Sequence, residues 1–378
     1  MIEYTVLSVC AFLLIFYLVF LQKIHSGLGK LKYISKKNIT NDFISIIIPF
    51  RNERENLLNN LRALEALNYP EENFEILYIN DSSTDDSVEI LKKNITNKNI
   101  KILNVPDDFS PNAHKKRAIR FGISNSKGKI IITTDADCFF DPGWLQTMMN
   151  YMNEDTGFVS GPVEFNDSND LFGNLQKLEF AGLVITGAGL IGSGSPTICN
   201  AANIAYRREA FDEVNGFNDQ LNLSSGDDEI LMQKIDRETK YRTCFCPDKK
   251  AIVKTAANVS IHKFYQQRKR WASKGLFYAD KLLIIKLILI FNFYLSLPIL
   301  FVLGILISPI FLILLIINFF LKIISEYLVL KKGSELLFNN NILKPFLLAE
   351  LLHVPYIIIS GISGIFGNFT WKERKVKR

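Results

Sequence analysis

The chain has 378 residues, of which 48% are hydrophobic and 22% charged, and its formal net charge is +6. This hydrophobic share is unusual for a purely soluble enzyme, and the excess lies at the two ends of the chain. The net charge is modest and the basic clusters lie beside apolar stretches, which favours an anionic membrane surface over nucleic acid as a partner.

The first element is an uncharged apolar segment from Tyr4 to Leu21, about the minimum length for a helix that spans a bilayer. It has no basic leading region and no small-residue cleavage site, so an uncleaved anchor over residues 1–22 is favoured over a signal peptide. Lysines follow the segment and only Glu3 precedes it, which places the next domain in the cytoplasm and the protein in the cell (inner) membrane. The five cysteines form no disulfide framework, and this suits a reducing compartment.

Residues 43–275 have the pattern of an α/β domain. Four apolar runs of strand length are followed by helical patterns: "FISIIIPF", "FEILYIN", "IKILNV" and "GKIIITTD". This alternation predicts a Rossmann-like, mostly parallel sheet, in which ligands bind beyond the carboxyl ends of the strands. Asn52, supported by Glu55 three residues later, is predicted to cap the helix after the first strand.

Two carboxylates, Asp135 and Asp137, end the fourth strand one position apart. Alternation on an extended strand points both to one face, and like charges this close repel unless a cation lies between them. Such hard oxygen ligands are what Mg²⁺ or Mn²⁺ uses when it also holds a diphosphate. Solvated aspartates in a turn would explain the bare pattern, but the apolar residues on both sides favour a metal site.

Seven segments follow one another in a specific order: "SIIIPFRNERENL", "INDSSTDDS", "HKKRAIRFGI", "TTDADC", "CNAANIAYRREAFDEVNGF", "SGDDEIL" and "QRKRW". From about Ser45 to Trp271, their order and spacing resemble those of the family 2 glycosyltransferases, which have the GT-A fold. "TTDADC" resembles the metal-binding DxD motif of that family, "SGDDEIL" its catalytic-base motif, and "QRKRW" the QxxRW signature of membrane-embedded members.

The resemblance implies an inverting, metal-dependent hexosyltransferase that uses a nucleoside diphosphate sugar, with a UDP-sugar expected. Asp137 would hold Mg²⁺ or Mn²⁺ with the assistance of Asp135, while Asp81 would accept a hydrogen bond from the base or, alternatively, cap the next helix. Lys115 or Lys116 would offset phosphate charge, and Lys116 is the predicted donor residue, although a solvated helix face explains both nearly as well. The full predicted donor site is Pro49, Arg51, Glu53, Asp81, Lys116 and Asp135.

The acceptor side follows from the last two segments. By resemblance, Asp228 is the general base that activates the acceptor hydroxyl, with Asp227 beside it, although acids are ordinary in the first turn of a helix. Trp271 would stack at the acceptor entrance, and Arg270 and Gln267 would contact the diphosphate. A membrane-surface helix is an alternative interpretation of the same segment.

The region 282–368 predicts two or three further membrane spans. Lys286 to Leu321 is long enough for two helices with a tight connection near Ser308 and Pro309. A third span would leave the basic tail outside, against the positive-inside rule. A re-entrant or interfacial last segment, interrupted by Glu350 and His353, would avoid this conflict.

The acceptor is predicted to be a lipid, with a glycan as the other possibility. The C-terminal apolar segments offer almost no polar residues to line an export path for sugar, so transfer of one sugar is favoured over a small processive polysaccharide synthase. The glycine-rich stretch Leu178 to Ser195 suits contact with a lipid acceptor, although core packing explains it almost as well. A nucleotidyltransferase and a non-catalytic membrane scaffold are less favoured alternatives.

Overall fold

The computed structural model describes residues 2–34, 42–109, 115–218, 226, 228–273, 278–338, 340–366, 369–371 and 374–376. Its strands in chain order are β1 (Ile44–Phe50), β2 (Phe74–Asn80), β3 (Ile100–Asn104), β4 (Ile130–Thr133), β5 (Phe139–Phe140), β6 (Thr156–Ser160), β7 (Val163–Phe165), β8 (Ile204–Arg207), β9 (Arg242–Phe245), β10 (Val253–Thr255), β11 (Phe369–Trp371) and β12 (Arg374–Val376).

The helices are α1 (Ile2–Leu28), α2 (Leu57–Glu65), α3 (Ser87–Asn94), α4 (Lys115–Ser124), α5 (Trp144–Met149), α6 (Leu171–Gly192), α7 (Arg208–Glu213), α8 (Glu229–Glu238), α9 (Ile261–Ala272), α10 (Lys281–Leu306), α11 (Ile310–Leu337) and α12 (Phe346–Phe366).

The central sheet has the strand order β3-β2-β1-β4-β8-β6-β9. Neighbours are parallel except for β8, which is antiparallel to β4 and β6, so the predicted mostly parallel α/β sheet is confirmed. The register pairs Phe50 with Asn80 and Ile47 with Thr133. The residues that follow β1, β2 and β4 therefore meet at one edge of the sheet, where ligands bind in folds of this kind.

The loop after β1 differs from the prediction. Helix α2 begins at Leu57 rather than directly after Asn52. Asn52 has a positive φ of 53°, and its side-chain oxygen accepts a hydrogen bond of 2.8 Å from the Thr84 backbone N–H. The predicted cap is wrong because this amide binds the loop after β2 instead, which draws Arg51 and Glu53 toward the same edge.

Helices α1 and α6 approach each other through glycines. A Cβ added to Gly27 would lie 1.8 Å from the Gly189 carbonyl oxygen, and one added to Gly192 would lie 2.3 Å from the Gly27 carbonyl oxygen. Small residues allow such close backbone contact between apolar helices. Close packing against α1 is therefore one role of the glycine-rich stretch of α6.

Among the described helices, α1, α6, α10, α11 and α12 are long and apolar enough to cross a membrane. Helix α6 is also mostly buried within the protein. The turn between α10 and α11 contains Ser308 and Pro309, where a tight connection is predicted, and α11 continues well beyond Leu321.

Helix α12 does not run alongside the whole of α11. Its first residue, Phe346, lies 5.3 Å (ring centroids) from Tyr327 in the second half of α11. At its other end, a Cβ on Gly364 would meet Ala272 at the end of α9, and β11 also lies beside α9. The last helix therefore returns to the side on which the α/β domain lies.

Candidate active site

One cavity of about 720 Å³ opens at the carboxyl ends of β1, β2 and β4. Every predicted site residue that the structure describes lines it except Lys116: these are Pro49, Arg51, Glu53, Asp81, Asp135, Asp137, Asp228, Gln267, Arg270 and Trp271. Lys116 is 1% exposed, and its neighbour Lys115 lines the cavity instead. Asp227 lies outside the described residues.

Asp81 forms one end of the cavity and is only 3% exposed. The Asp81 backbone N–H donates to the Phe50 carbonyl (2.9 Å). The Arg51 guanidinium donates to the Asp81 backbone carbonyl oxygen (2.9 Å). The Arg117 guanidinium lies 3.4 Å from the Asp81 carboxylate and donates to the Phe109 carbonyl (2.7 Å). These contacts fix the carboxylate at the rim of the sheet.

Arg117, which the sequence interpretation missed, contacts the site residue Asp81 without itself lining the cavity. It stands beside the two lysines of "HKKRAIR" that were considered for phosphate binding. The pattern shows a basic helix, but which of three adjacent basic residues faces which neighbour depends on how α4 is rotated against the sheet. The structure turns Lys115 toward Asp135 and Arg117 toward Asp81.

Asp135 and Asp137 lie in the loop after β4. Lys115 Nζ is 2.6 Å from Asp135 Oδ1, and the Thr255 hydroxyl donates to Asp137 Oδ2 (3.2 Å). Burial, followed by the charges of Asp137 and Asp135, raises the pKa of the Cys138 thiol well above its usual value. Asp135 and Asp137 offer a cation carboxylate oxygens, the donors that Mg²⁺ and Mn²⁺ prefer.

The charges around the cavity also suit a bound cation. Six carboxylates and four basic side chains are among the described lining residues. The carboxylates are Glu53, Asp81, Asp135, Asp137, Asp228 and Glu229, and the basic residues are Arg51, Lys115, Arg268 and Arg270. Carboxylates outnumber basic side chains in this lining, although Arg117 outside it also offsets Asp81. A bound cation stabilises such an excess at a partly buried site, so the lining fits a divalent metal.

Asp228 lies deeper, immediately before α8, and is 8% exposed. One carboxylate oxygen accepts the Glu229 N–H (2.7 Å) and the other accepts the Ala201 N–H (3.0 Å). The side chain therefore caps α8 and faces the cavity at the same time. The Tyr278 hydroxyl donates to Glu229 (2.6 Å), and burial and then the Glu229 charge raise the pKa of Tyr278, so the phenol remains a donor.

The signature residues lie on α9. Gln267 accepts a hydrogen bond of 2.8 Å from Asn258, and the Trp271 ring lies 5.9 Å from that of Phe180 on α6. Both residues and Arg270 line the cavity. Helix α9 therefore presents this segment to the cavity rather than only to a membrane surface.

Beyond α9 the cavity becomes apolar. Its walls there come from three helices with the composition of membrane spans: α6 contributes Leu183, Val184 and Gly187, α10 contributes Ile284, Leu287, Ile288 and Phe291, and α12 contributes Ile357, Ser360 and Gly361. A single cavity therefore has a charged end at the sheet and an apolar end among these helices.

A carboxylate-rich cavity at the strand ends of a mostly parallel sheet is what a glycosyltransferase of the GT-A fold would have. The chain matches the model of "Glycosyl transferase family group 2" over residues 130–324, more than half its length, and that of "Glycosyl transferase family 2" over residues 45–214. The protein belongs to glycosyltransferase family 2. The nucleotidyltransferase and scaffold alternatives receive no support from these matches.

Two curated relatives share part of the chain. Glycosyltransferase AglE of Haloferax volcanii is 29% identical over 217 residues, which cover 54% of this chain and 65% of that protein. Poly-beta-1,6-N-acetyl-D-glucosamine synthase of Staphylococcus epidermidis is 25% identical over 240 residues, 61% of this chain and 54% of that protein. The matched region thus spans less than two thirds of either relative.

Among solved structures, the mannosyltransferase PcManGT from Pyrobaculum calidifontis, in complex with GDP-Man and Mn²⁺, has a TM-score of 0.61 at 17% identity. The likeness covers 97% of this chain and 99% of that one. At this identity the likeness establishes a shared fold, and the fold extends over the C-terminal helices as well as the α/β domain.

Proposed function

We propose that the protein transfers a single sugar from a nucleoside diphosphate donor, a UDP-sugar in the first instance, to the hydroxyl of a membrane lipid. The observation that carries this proposal is the continuity of the cavity. Its charged end suits a nucleoside diphosphate, and its apolar end, among α6, α10 and α12, suits the hydrocarbon of an acceptor.

The proposed reaction is a direct displacement. Asp228 accepts the proton of the acceptor hydroxyl, whose oxygen bonds to the anomeric carbon as the bond to the diphosphate breaks. One displacement inverts the anomeric centre. Asp81 binds the nucleobase of the donor. Lys115, in place of the predicted Lys116, faces the phosphates together with Gln267 and Arg270. Asp227 remains a predicted neighbour of the base.

Asp137, assisted by Asp135, is the proposed ligand of Mg²⁺ or Mn²⁺, which would offset the charge that grows on the leaving diphosphate. The oxygen donors and the acidic surplus of the lining support this assignment. Lys115, already 2.6 Å from Asp135, adds a fixed positive charge beside the same pair, and Pro49, Arg51 and Glu53 complete the donor wall.

The proposed location is the cell membrane, with the α/β domain on the cytoplasmic face. Lysines follow α1 on that side, and α12 returns toward α9, so that a re-entrant α12 would keep the basic tail in the cytoplasm as well. Protease treatment of sealed inside-out vesicles should remove a C-terminal tag. A tag protected there and cleaved only in right-side-out vesicles would refute this topology.

A small processive synthase is the second candidate, and the relative named poly-beta-1,6-N-acetyl-D-glucosamine synthase supports it. Against it stands the apolar stretch from Leu297 to Phe320, which offers just Ser308 and Asn318 as polar side chains to line an export path for sugar. We therefore expect one transfer to each acceptor.

The test uses membranes that contain the protein and a panel of labelled UDP- and GDP-sugars, with membranes that contain Asp137→Ala as the control. The proposal predicts one organic-extractable glycolipid that depends on the wild-type protein. A ladder of water-soluble oligosaccharides that lengthens with time would establish the processive alternative instead.

A further inference from the structure

Arg268 lies inside the signature segment of α9 but belongs to none of its assigned positions. It is 2% exposed, and its Nε lies 3.0 and 3.1 Å from the two carboxylate oxygens of Glu179 on α6. A terminal nitrogen of the guanidinium also donates to Glu179. A planar guanidinium that bonds one carboxylate through two nitrogens is held in orientation as well as in position.

The same carboxylate binds a third helix. The Tyr356 hydroxyl of α12 donates to Glu179 Oε1 (2.8 Å). Glu179 therefore receives hydrogen bonds from α9 and from α12, and joins both to α6. Arg268 and Tyr356 also line the cavity, at the passage between its charged and apolar parts.

Arg268 in turn contacts the assigned signature residues. Its guanidinium carbon lies 4.2 Å from the Trp271 ring centroid and 4.6 Å from that of Phe264. Another guanidinium nitrogen donates to Gln267 Oε1. Two of the three signature side chains thus depend on the orientation of this one buried group.

We propose that Arg268, Glu179 and Tyr356 form a positioning network that fixes Gln267 beside the diphosphate and Trp271 at the acceptor entrance, and ties both to α12. This inference rests on the proposed acceptor site. Arg268 acts through Gln267 and Trp271 and does not itself need to touch the reacting atoms. Because α12 also forms a wall of the apolar part, a lipid bound there contacts the element that holds the signature helix in place.

The chemistry requires arginine. A lysine at position 268 would keep the positive charge but would lose the fork that engages both oxygens of Glu179 and the flat face that stacks on Trp271. Arg268→Lys should therefore behave like a loss of the network rather than like the wild type.

The main variant is Tyr356→Phe, which keeps the ring and removes only the hydroxyl. Its matched control is Tyr17→Phe, which removes a similar phenol–glutamate hydrogen bond, 2.6 Å to Glu326, away from the cavity. With the full-length protein in detergent micelles and either a polyprenol or a diacylglycerol as acceptor probe, Tyr356→Phe should raise the acceptor KM about tenfold, as for loss of one charge-assisted hydrogen bond. The donor KM should rise by a smaller factor, through Gln267 alone, and Tyr17→Phe should alter neither constant.

A second readout does not need a known acceptor. The fluorescence of Trp271, obtained by subtracting the spectrum of the same protein with Trp271→Phe, reports the environment of that ring. We expect acrylamide to quench Trp271 more strongly in Tyr356→Phe, Glu179→Gln and Arg268→Lys than in the wild type. Tyr17→Phe should show wild-type quenching.

The double variant Glu179→Gln with Arg268→Gln should perturb folding less than Glu179→Gln alone, which leaves a buried guanidinium without its carboxylate. Unchanged Trp271 quenching in Tyr356→Phe and Arg268→Lys would overturn the network, whatever the acceptor proves to be. Equal rises in donor and acceptor KM would also overturn it, since they would indicate a merely structural role. If neither probe is an acceptor, the proposed lipid class is in error, and the quenching still decides the inference.

Discussion

The cavity and the membrane helices bury charged side chains in opposite ways. Around the cavity, carboxylates outnumber basic groups and border open space. A second group, here called the intramembrane cluster, joins α1, α10, α11 and α12, and consists of Tyr17, Tyr294, Lys322, Glu326, Glu350 and His353. In this cluster Lys322 Nζ lies 3.0 Å from Glu326 and also contacts Glu350, while His353 lies 3.3 Å from Glu326.

This difference distinguishes a ligand-binding site from a cluster that stabilises the packing of the helices. The ligand atoms of Glu326, Glu350 and His353 lie within 4.8 Å of one another, but the ammonium of Lys322 already supplies a cation between the two glutamates. In the intramembrane cluster the Lys322 ammonium contacts both glutamates and His353 lies beside one of them, which favours one arrangement of the four helices. The excess carboxylates at the cavity are instead available to bind a metal ion and to position a substrate.

The largest expected effect concerns Asp228, the proposed general base. Asp228→Asn should lower kcat by a factor of about 10² or more, because the amide cannot take a proton, while it keeps one of the two oxygens that accept backbone N–H groups. Nucleotide affinity should hardly change. The same change at Asp227 should be milder, and the exposed Asp212→Asn should have no effect. Single-turnover rates and UDP titrations check this, and an Asp228→Asn enzyme that turns over normally, or that loses UDP affinity instead, would refute the assignment.

The intramembrane cluster should respond in stability rather than in rate. Lys322→Met leaves two buried carboxylates without their cation and should cost about 3–5 kcal/mol of stability. The folded fraction should retain its kcat. Lys331→Met, on the exposed face of the same helix, is the control. Thermal unfolding in detergent and kcat per folded molecule are the measurements, and a stable but inactive Lys322→Met protein would show that the cluster serves the reaction.

A smaller effect is expected at the nucleotide end. Asp81→Ala should weaken UDP binding about tenfold, as for loss of one hydrogen bond to a charged group. Asp86→Ala, which removes only a surface ion pair with Arg54, should bind UDP normally. Equal UDP affinities of the two variants would show that the nucleobase binds elsewhere in the cavity.

The strand-end residues could be predicted because apolar runs of strand length end in polar residues, and parallel strands bring their carboxyl ends together. This pattern alone predicts that Arg51, Asp81, Asp135 and Asp137 lie at one edge. Local patterns did not decide between adjacent residues. Whether Lys115 or Lys116 faces the cavity depends on how α4 is rotated about its axis, and the packing of α4 against the sheet sets that rotation.

Long-range partners were also beyond the sequence. Asn52 was predicted as a helix cap because Glu55 follows it, but the loop at Thr84, distant along the chain, binds its side chain instead. Arg268 and Glu179 are 89 residues apart, and Tyr356 is 177 residues from Glu179. No local pattern connects such residues, and only the packing of α6, α9 and α12 brings them together.

The most direct test of the claim that the acidic surplus serves a metal and a diphosphate is calorimetric titration of the purified protein. UDP and GDP are each added with and without Mn²⁺ or Mg²⁺, to the wild type and to Asp137→Ala. We predict that the wild type binds one of these nucleotides tightly only with the metal, and that Asp137→Ala, although folded, does not. Metal-independent binding of equal affinity in both proteins, or no binding of either nucleotide to the wild type, would contradict the account.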